Sequence, residues 1–193
     1  TRDARKVCGD ALEMRGGIGY IEEFATARLL RDAHLGSIWE GTGNIVAIDA
    51  LTRAVGRHGA DAALAADLHA RLGDSANVPQ AWRDRLRELT DRAIGFAREV
   101  ASRSDNEGDA RRATSLLYHV ASAVALAWEG GRIHEMRGDA RRLLLSRMVI
   151  DHRVAAGDPF RLAENATQRA ITDHLLGERD VGMAEVGELL VAA

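Results

Sequence analysis

The sequence is poor in the residue types that build specialised sites. Cys8 is the only cysteine, which excludes a disulfide framework within the chain and a cysteine-rich zinc site. On a predicted helix, with only Arg5 and Lys6 nearby, it reads as an inert small residue. Lysine occurs once, at Lys6, so 25 of the 26 basic side chains are arginine; this runs along the whole chain and reads as coding bias. There are two prolines and 4% aromatic residues, and no sustained alternation of polar and apolar positions, so strands are not expected. The longest apolar run, 120–128, is about half the roughly 20 residues a membrane span needs. The seven histidines, His34, His58, His69, His119, His134, His152 and His174, are scattered without metal-ligand spacing, so no metal site is expected. No nucleophile-elbow spelling supports Ser/His/Asp catalysis. A net charge of −3 gives no global attraction to nucleic acid or anionic membrane. The chain opens Thr1-Arg2-Asp3-Ala4-Arg5-Lys6, with neither an initiator Met nor an apolar leader. It reads like the middle of a helix, so a piece of a longer or processed chain is expected.

What is present is helix. The 193 residues are 46% hydrophobic and 28% charged, enough for a packed core. Ala, Leu and Arg are abundant, and apolar positions recur at helical spacing. The pattern predicts helices over 3–14, 25–34, a third carrying Ile45, Ile48, Leu51 and Val55 on one face, and 61–72. Further helices are expected over 82–100, 110–136, 140–155, 165–176 and 181–191. The segment 110–136 is apolar nearly all round at 120–128 and should be central. Segments 16–20, 35–43, 73–79, 104–108 and 156–159 read as loops or turns. The expected fold is an all-α helical bundle with two packed parts, divided at the Gly73–Pro79 linker into 1–75 and a helical extension, 76–193.

Periodicity does not explain residues 13–44. Two glycine loops bracket one short helix there. The second places Glu40 between Trp39 and Gly41, and Gly41-Thr42-Gly43-Asn44 opens a helix. Glycine permits positive φ and close backbone approach, which is how loops present N–H groups to phosphates or cofactors. Plain helix–helix connection with Thr42 as N-cap fits as well.

Three stretches in order, Gly16-Gly17-Ile18-Gly19-Tyr20, Leu29-Leu30-Arg31-Asp32-Ala33 and Trp39-Glu40-Gly41-Thr42-Gly43-Asn44, resemble the C-terminal helical domain of the acyl-CoA dehydrogenase flavoproteins. The last is spelled most like the AidB-type alkylation-response branch, whose chains also extend beyond the shared domain. The motifs lie within residues 1–57. The resemblance implies an FAD-dependent enzyme in which Glu40 is the base that removes the α-proton of an acyl-CoA thioester while the β-hydrogen passes as hydride to flavin N5. It places Gly16 and Gly17 near FAD, typically that of a neighbouring subunit, and Thr42 and Asn44 against its nucleotide part. Gly41 falls beside the thioester. Trp39 falls next to substrate or flavin, with a buried packing role equally open. Glu13 stands where many relatives have Gln and carries over to the cofactor only weakly. Tyr20 reads as structural, and Arg31 and Asp32 as pairing with each other or with neighbouring helices.

The resemblance also implies a cytoplasmic homotetramer of C-terminal helices and an electron-accepting flavoprotein as partner. The family's N-terminal helical and middle β domains are not in this sequence, so inactivity of these 193 residues on their own is expected. Two other readings stand beside this one. Arg137, Arg141 and Arg142 are the best basic cluster, and in an AidB-like protein they would contact duplex DNA. In a pure assembly module, residues 120–128 would form the contact.

Overall fold

In a computed structural model, residues 2–39, 41–155 and 166–191 are described. Among them there is no strand, and the fold is all-α as expected. No helix of the described residues is long and apolar enough to cross a membrane. The turn expected at 156–159 lies outside the described residues. The chain divides into two compact units, Thr1–Ala50 and Leu51–Ala193. This division does not coincide with the 75/76 boundary expected from the linker, because the helix before that linker packs on the two helices after it.

The first unit holds α1 (Arg2–Met14), α2 (Gly17–Tyr20), α3 (Ala25–Leu35) and α4 (Gly43–Asp49). α1 packs along α3, and the single turn of α2 touches both. Residues 16–20 are therefore a helical corner rather than the expected loop. The corner starts at Gly16, whose φ of 58° is left-handed backbone that favours glycine, and the Gly19 N–H donates to the Gly16 carbonyl at 2.9 Å. α1 buries no residue. Most of the large apolar side chains exposed among the described residues lie before residue 47, among them Met14, Ile18, Phe24, Leu29, Leu35 and Ile38. A two-layer helical domain normally buries such a stripe against another element.

A π-helical segment, Ala50–Arg57, follows α4. Its His58 N–H reaches back five residues to the Arg53 carbonyl at 3.0 Å. The wider turn departs from the 3.6-residue period; Ile48 and Val55 of the expected face are half-buried. Leu51 is buried, whereas Ile45 is 62% exposed.

In the second unit, α5 (Ala60–Gly73), α6 (Gln80–Ala101), α7 (Ala110–Arg137) and α8 (Arg141–Val149) enclose the core. A second π-helical segment, Ile150–Val154, follows α8, in place of the continuous α-helix expected over 140–155. α9 (Ala166–Leu176) and α10 (Met183–Val191) cover α8. α7 is central as predicted: Ala123, Val124 and Ala127 have no accessible surface and Val120 almost none. Val120, Ala123, Val124 and Ala127 are therefore spent on the chain's own core, while Ala121, Ser122, Ala125, Leu126 and Trp128 are half-buried.

Two glycines let α7 be approached so closely. A Cβ on Gly130 would stand 2.8 Å from Leu143 Cδ1 and 3.0 Å from the Leu143 nitrogen on α8. At Gly131 the Asn77 side-chain amide donates to the carbonyl at 2.7 Å. A chain of hydrogen bonds crosses the same layer, although Trp128 Nε1 on α7 is buried without a partner. Trp82 Nε1 donates to Ser146 Oγ at 3.2 Å, which in turn donates to the Ala123 carbonyl at 2.8 Å. Arg147, nearly buried, pairs with Asp151 at 3.0 Å and donates to the Leu189 carbonyl, tying α10 to α8.

Gly130→Ala should cost about 1–3 kcal/mol of stability by overpacking. Gly95→Ala, on α6 with open space at its Cβ, should be neutral or gain up to about 1 kcal/mol. Urea unfolding midpoints of the two variants check both.

Candidate functional site

The residues singled out by sequence cluster in the first unit. Glu40 itself lies outside the described residues, while its neighbours are placed. Trp39 is 78% exposed, so it is not a buried packing residue within the described chain. Tyr20 is 77% exposed; it closes a helix of one turn and points outward. Ser37 Oγ, two residues before Trp39, is buried and makes no hydrogen bond, which is uncommon in a finished core.

Gly41 has a φ of 110°, a conformation that side chains rarely adopt. Thr42 occupies the N-cap position of α4 with extended backbone, but its side chain makes no capping hydrogen bond. Its carbonyl accepts from the Val46 N–H at 3.0 Å. The hydroxyl is thus not used in the way the plain connection would use it. Asn44 is exposed on the first turn. Glu13 is also exposed, and its carbonyl accepts from the Gly16 N–H at 2.9 Å, so its role in the corner is through backbone.

The glycines of the first corner separate by physical demand. Gly19 is buried, and a Cβ there would collide with the Leu12 carbonyl. Gly16 is fixed by its positive φ. Gly17 has neither a positive φ nor any atom within 4 Å of a Cβ; no contact of the described chain calls for glycine there, although glycine disfavours helix by about 1 kcal/mol relative to alanine. Sequence reasoning chose Gly16 and Gly17 and missed Gly19. The pattern of spaced glycines contains it, but only the packing of α2 on α1 reveals it.

A second missed residue is Glu22. Arg31 does not pair with Asp32; its guanidinium grips Glu22 with two hydrogen bonds, at 2.5 and 3.0 Å. That hydrogen bonding and the charge beside it hold the Glu22 carboxyl below the usual glutamate range. Asp32 faces Arg28 at 4.0 Å instead. The Glu22–Arg31 fork clips the connection after α2 onto α3 and so fixes the corner from its second side.

The basic cluster is not assembled as one stripe. Arg137 ends α7 and is exposed. Arg142 pairs with Glu129 at 2.8 Å. Arg141 donates to the Arg179 carbonyl and faces Asp139 at 3.8 Å. Two of the three guanidiniums thus have partners within the chain. Among the described residues no group of three His, Cys, Asp or Glu side chains could hold a metal ion.

Comparison with known proteins places the motif region. Residues 1–56 match the family model described as acyl-CoA dehydrogenase, C-terminal domain. Acyl-CoA dehydrogenase family member 11 of Caenorhabditis elegans is 25% identical over 162 residues, covering 82% of this chain and 26% of its own length. AidB of Escherichia coli (strain K12) is 52% identical over 42 residues, 22% of this chain and 8% of its own. Butyryl-CoA dehydrogenase of Syntrophomonas wolfei is 42% identical over 43 residues, 22% of this chain and 7% of its own. The chain thus spans about a quarter, or less, of the length of these relatives. No solved structure matches.

If this division of glycines is right, Gly19→Ala should loosen the corner by about 1–3 kcal/mol, while Gly17→Ala leaves it as stable or slightly more so. Amide hydrogen exchange over α1 and α3 reads the difference.

Proposed function

Because residues 1–56 match the acyl-CoA dehydrogenase C-terminal domain family, we propose that this chain is the C-terminal part of an FAD-dependent enzyme that desaturates an acyl-CoA thioester between its α and β carbons. The observation that carries the reading is the set of unused groups at the two motif loops. Gly16, Gly17 and Gly43 have open space at their Cβ positions, Thr42 keeps its hydroxyl out of the cap, and Trp39 stands out in solvent. Such a surface fits a flat ring system and its phosphate-bearing nucleotide. Glycine backbone lets both approach, and hydroxyl and amide groups hydrogen-bond the nucleotide part.

In this reading Gly16 and Gly17, with a weaker contribution from Glu13, face the flavin cofactor, and Thr42 and Asn44 hold its nucleotide part. When bound, FAD accepts the β-hydrogen of the substrate as a hydride at N5. Glu40 takes the α-proton, so the C–H electrons left at the α carbon form the new double bond as the β-hydride departs. A carboxylate is a weak base in water, and an apolar acyl chain that excludes water raises its pKa toward the working range. The positive end of α4, three residues on, opposes this by favouring the charged form. Gly41 leaves room for the thioester, and Trp39 covers substrate or flavin.

The partners that follow are acyl-CoA, FAD, further copies of the chain in a tetramer, and an electron-accepting flavoprotein, in the cytoplasm. The exposed apolar side chains of α1 and α3 supply surface for the rest of such an assembly. Since the chain covers about a quarter of the worm relative, these 193 residues by themselves are expected neither to retain FAD through gel filtration nor to transfer electrons from butyryl-CoA.

The test is Glu40→Gln in the flavin-loaded polypeptide that carries these residues. Reduction of flavin by butyryl-CoA, followed by loss of its visible absorbance, should slow by about 10²–10⁴-fold with flavin content unchanged. Reduction at the original rate would move the base elsewhere.

A further inference from the structure

The second unit contains a cavity of about 550 Å³ between α6, α7 and the π-helical segment that follows α8. That volume falls in the range of small-molecule sites, about 300–1,000 Å³. Its floor is apolar: Leu89, Ala93, Leu116 and Val120 line it, with Phe96 and Val154 at the sides. Its rim is cationic. Arg85 and Arg92 come from α6, Arg112 from α7 and Arg153 from the π-helical segment.

Each rim arginine has a partner, Arg153 included, but one carboxylate is shared between two of them. Glu88 alone serves two of these arginines, Arg85 at 2.9 Å and Arg92 at 3.4 Å, so one carboxylate stands against two guanidiniums. Arg112 meets Asp109 at 3.1 Å and lies with its guanidinium 4.8 Å from the centre of the Phe96 ring. The side chains of Arg92 and Arg112 are 68% and 64% exposed, so these pairs are of the weak surface kind and readily exchange partners. An incoming carboxylate or phosphate gains charge-assisted bonds from such a rim, and an apolar tail removes the floor from water.

We infer that this cavity is a binding site for a single-tailed amphipathic anion, a carboxylate or phosphate head at the arginine rim with a medium-length alkyl chain on the Leu89–Phe96–Leu116–Val120 floor. It lies outside residues 1–56 and does not rest on the dehydrogenase reading. It gives the helical extension a ligand of its own.

The test uses the 193-residue chain and isothermal titration with decanoate and with decyl phosphate. Acetate serves as head without tail, and decyl maltoside as tail without charge. Decanoate, decyl phosphate or both should bind one per chain and weaken as salt rises, and the tighter of the two identifies the head group. Acetate and decyl maltoside should show no saturable binding at the same concentrations. Arg92→Glu with Arg112→Glu should weaken binding at least tenfold while helix content by circular dichroism stays unchanged. Leu116→Trp, which fills the floor and keeps the rim, should also abolish it. The inference is overturned if neither anion binds, if decyl maltoside binds as well as the anions, or if the double arginine variant, folded, binds as the parent does.

Discussion

The first unit depends on one steric constraint. α2 can sit against α1 only because residue 19 has no side chain to meet the Leu12 carbonyl, and the chain can enter α2 only through the left-handed Gly16. From that corner follow the packing of α1 along α3, the reach of Arg31 back to Glu22, and the side of the unit on which Ile18 and Tyr20 are exposed. A glycine required by packing and a glycine left bare sit two residues apart, and the contrast gives Gly17 its meaning. Evolution toward stability alone favours alanine at an unstrained helical position; a bare backbone there fits the close approach of something else.

The two units solve the burial problem differently. In the second, α7 is surrounded, its polar neighbours Trp82 and Ser146 are satisfied, and the C-terminal helices are tied by Arg147 and by Asp139, whose carboxylate accepts from the Arg141 and Val181 backbone N–H groups at 3.1 and 3.3 Å. In the first, a helix of thirteen residues buries none of them. A unit with that much exposed apolar surface is built to be covered, which agrees with a chain that spans about a quarter of the worm relative's length. The arginine-rimmed cavity belongs to the self-sufficient unit, where a ligand would meet a finished scaffold.

Much of this was legible in the sequence. Helical spacing located α1, α3, α6 and α7 to within a residue or two, since their apolar stripes are long and regular. The motif order of the glycine corner, the Leu29–Ala33 stretch and the Trp39–Asn44 loop led to the family. What remained hidden depends on local register and on distance. The π-helical segments after Asp49 and Val149 change the period without any distinctive residue, and of the expected face only Ile45 lies exposed. The Glu22–Arg31 fork joins residues nine apart across a turn, and adjacency in sequence pointed instead to Asp32. The demand for glycine at position 19 comes from a carbonyl on another helix. The partners of two arginines of the basic cluster, Glu129 for Arg142 and the Arg179 carbonyl for Arg141, come from other elements and could not be read from the sequence.

The central claim is that the first unit keeps bare backbone for a flavin cofactor. It is tested most directly by the dissociation constant of FAD from the flavin-enzyme polypeptide that carries Gly17→Ala, measured beside the unfolding midpoint of its flavin-free form. The account predicts weaker FAD binding with an unchanged or higher midpoint. Unchanged FAD affinity would contradict it.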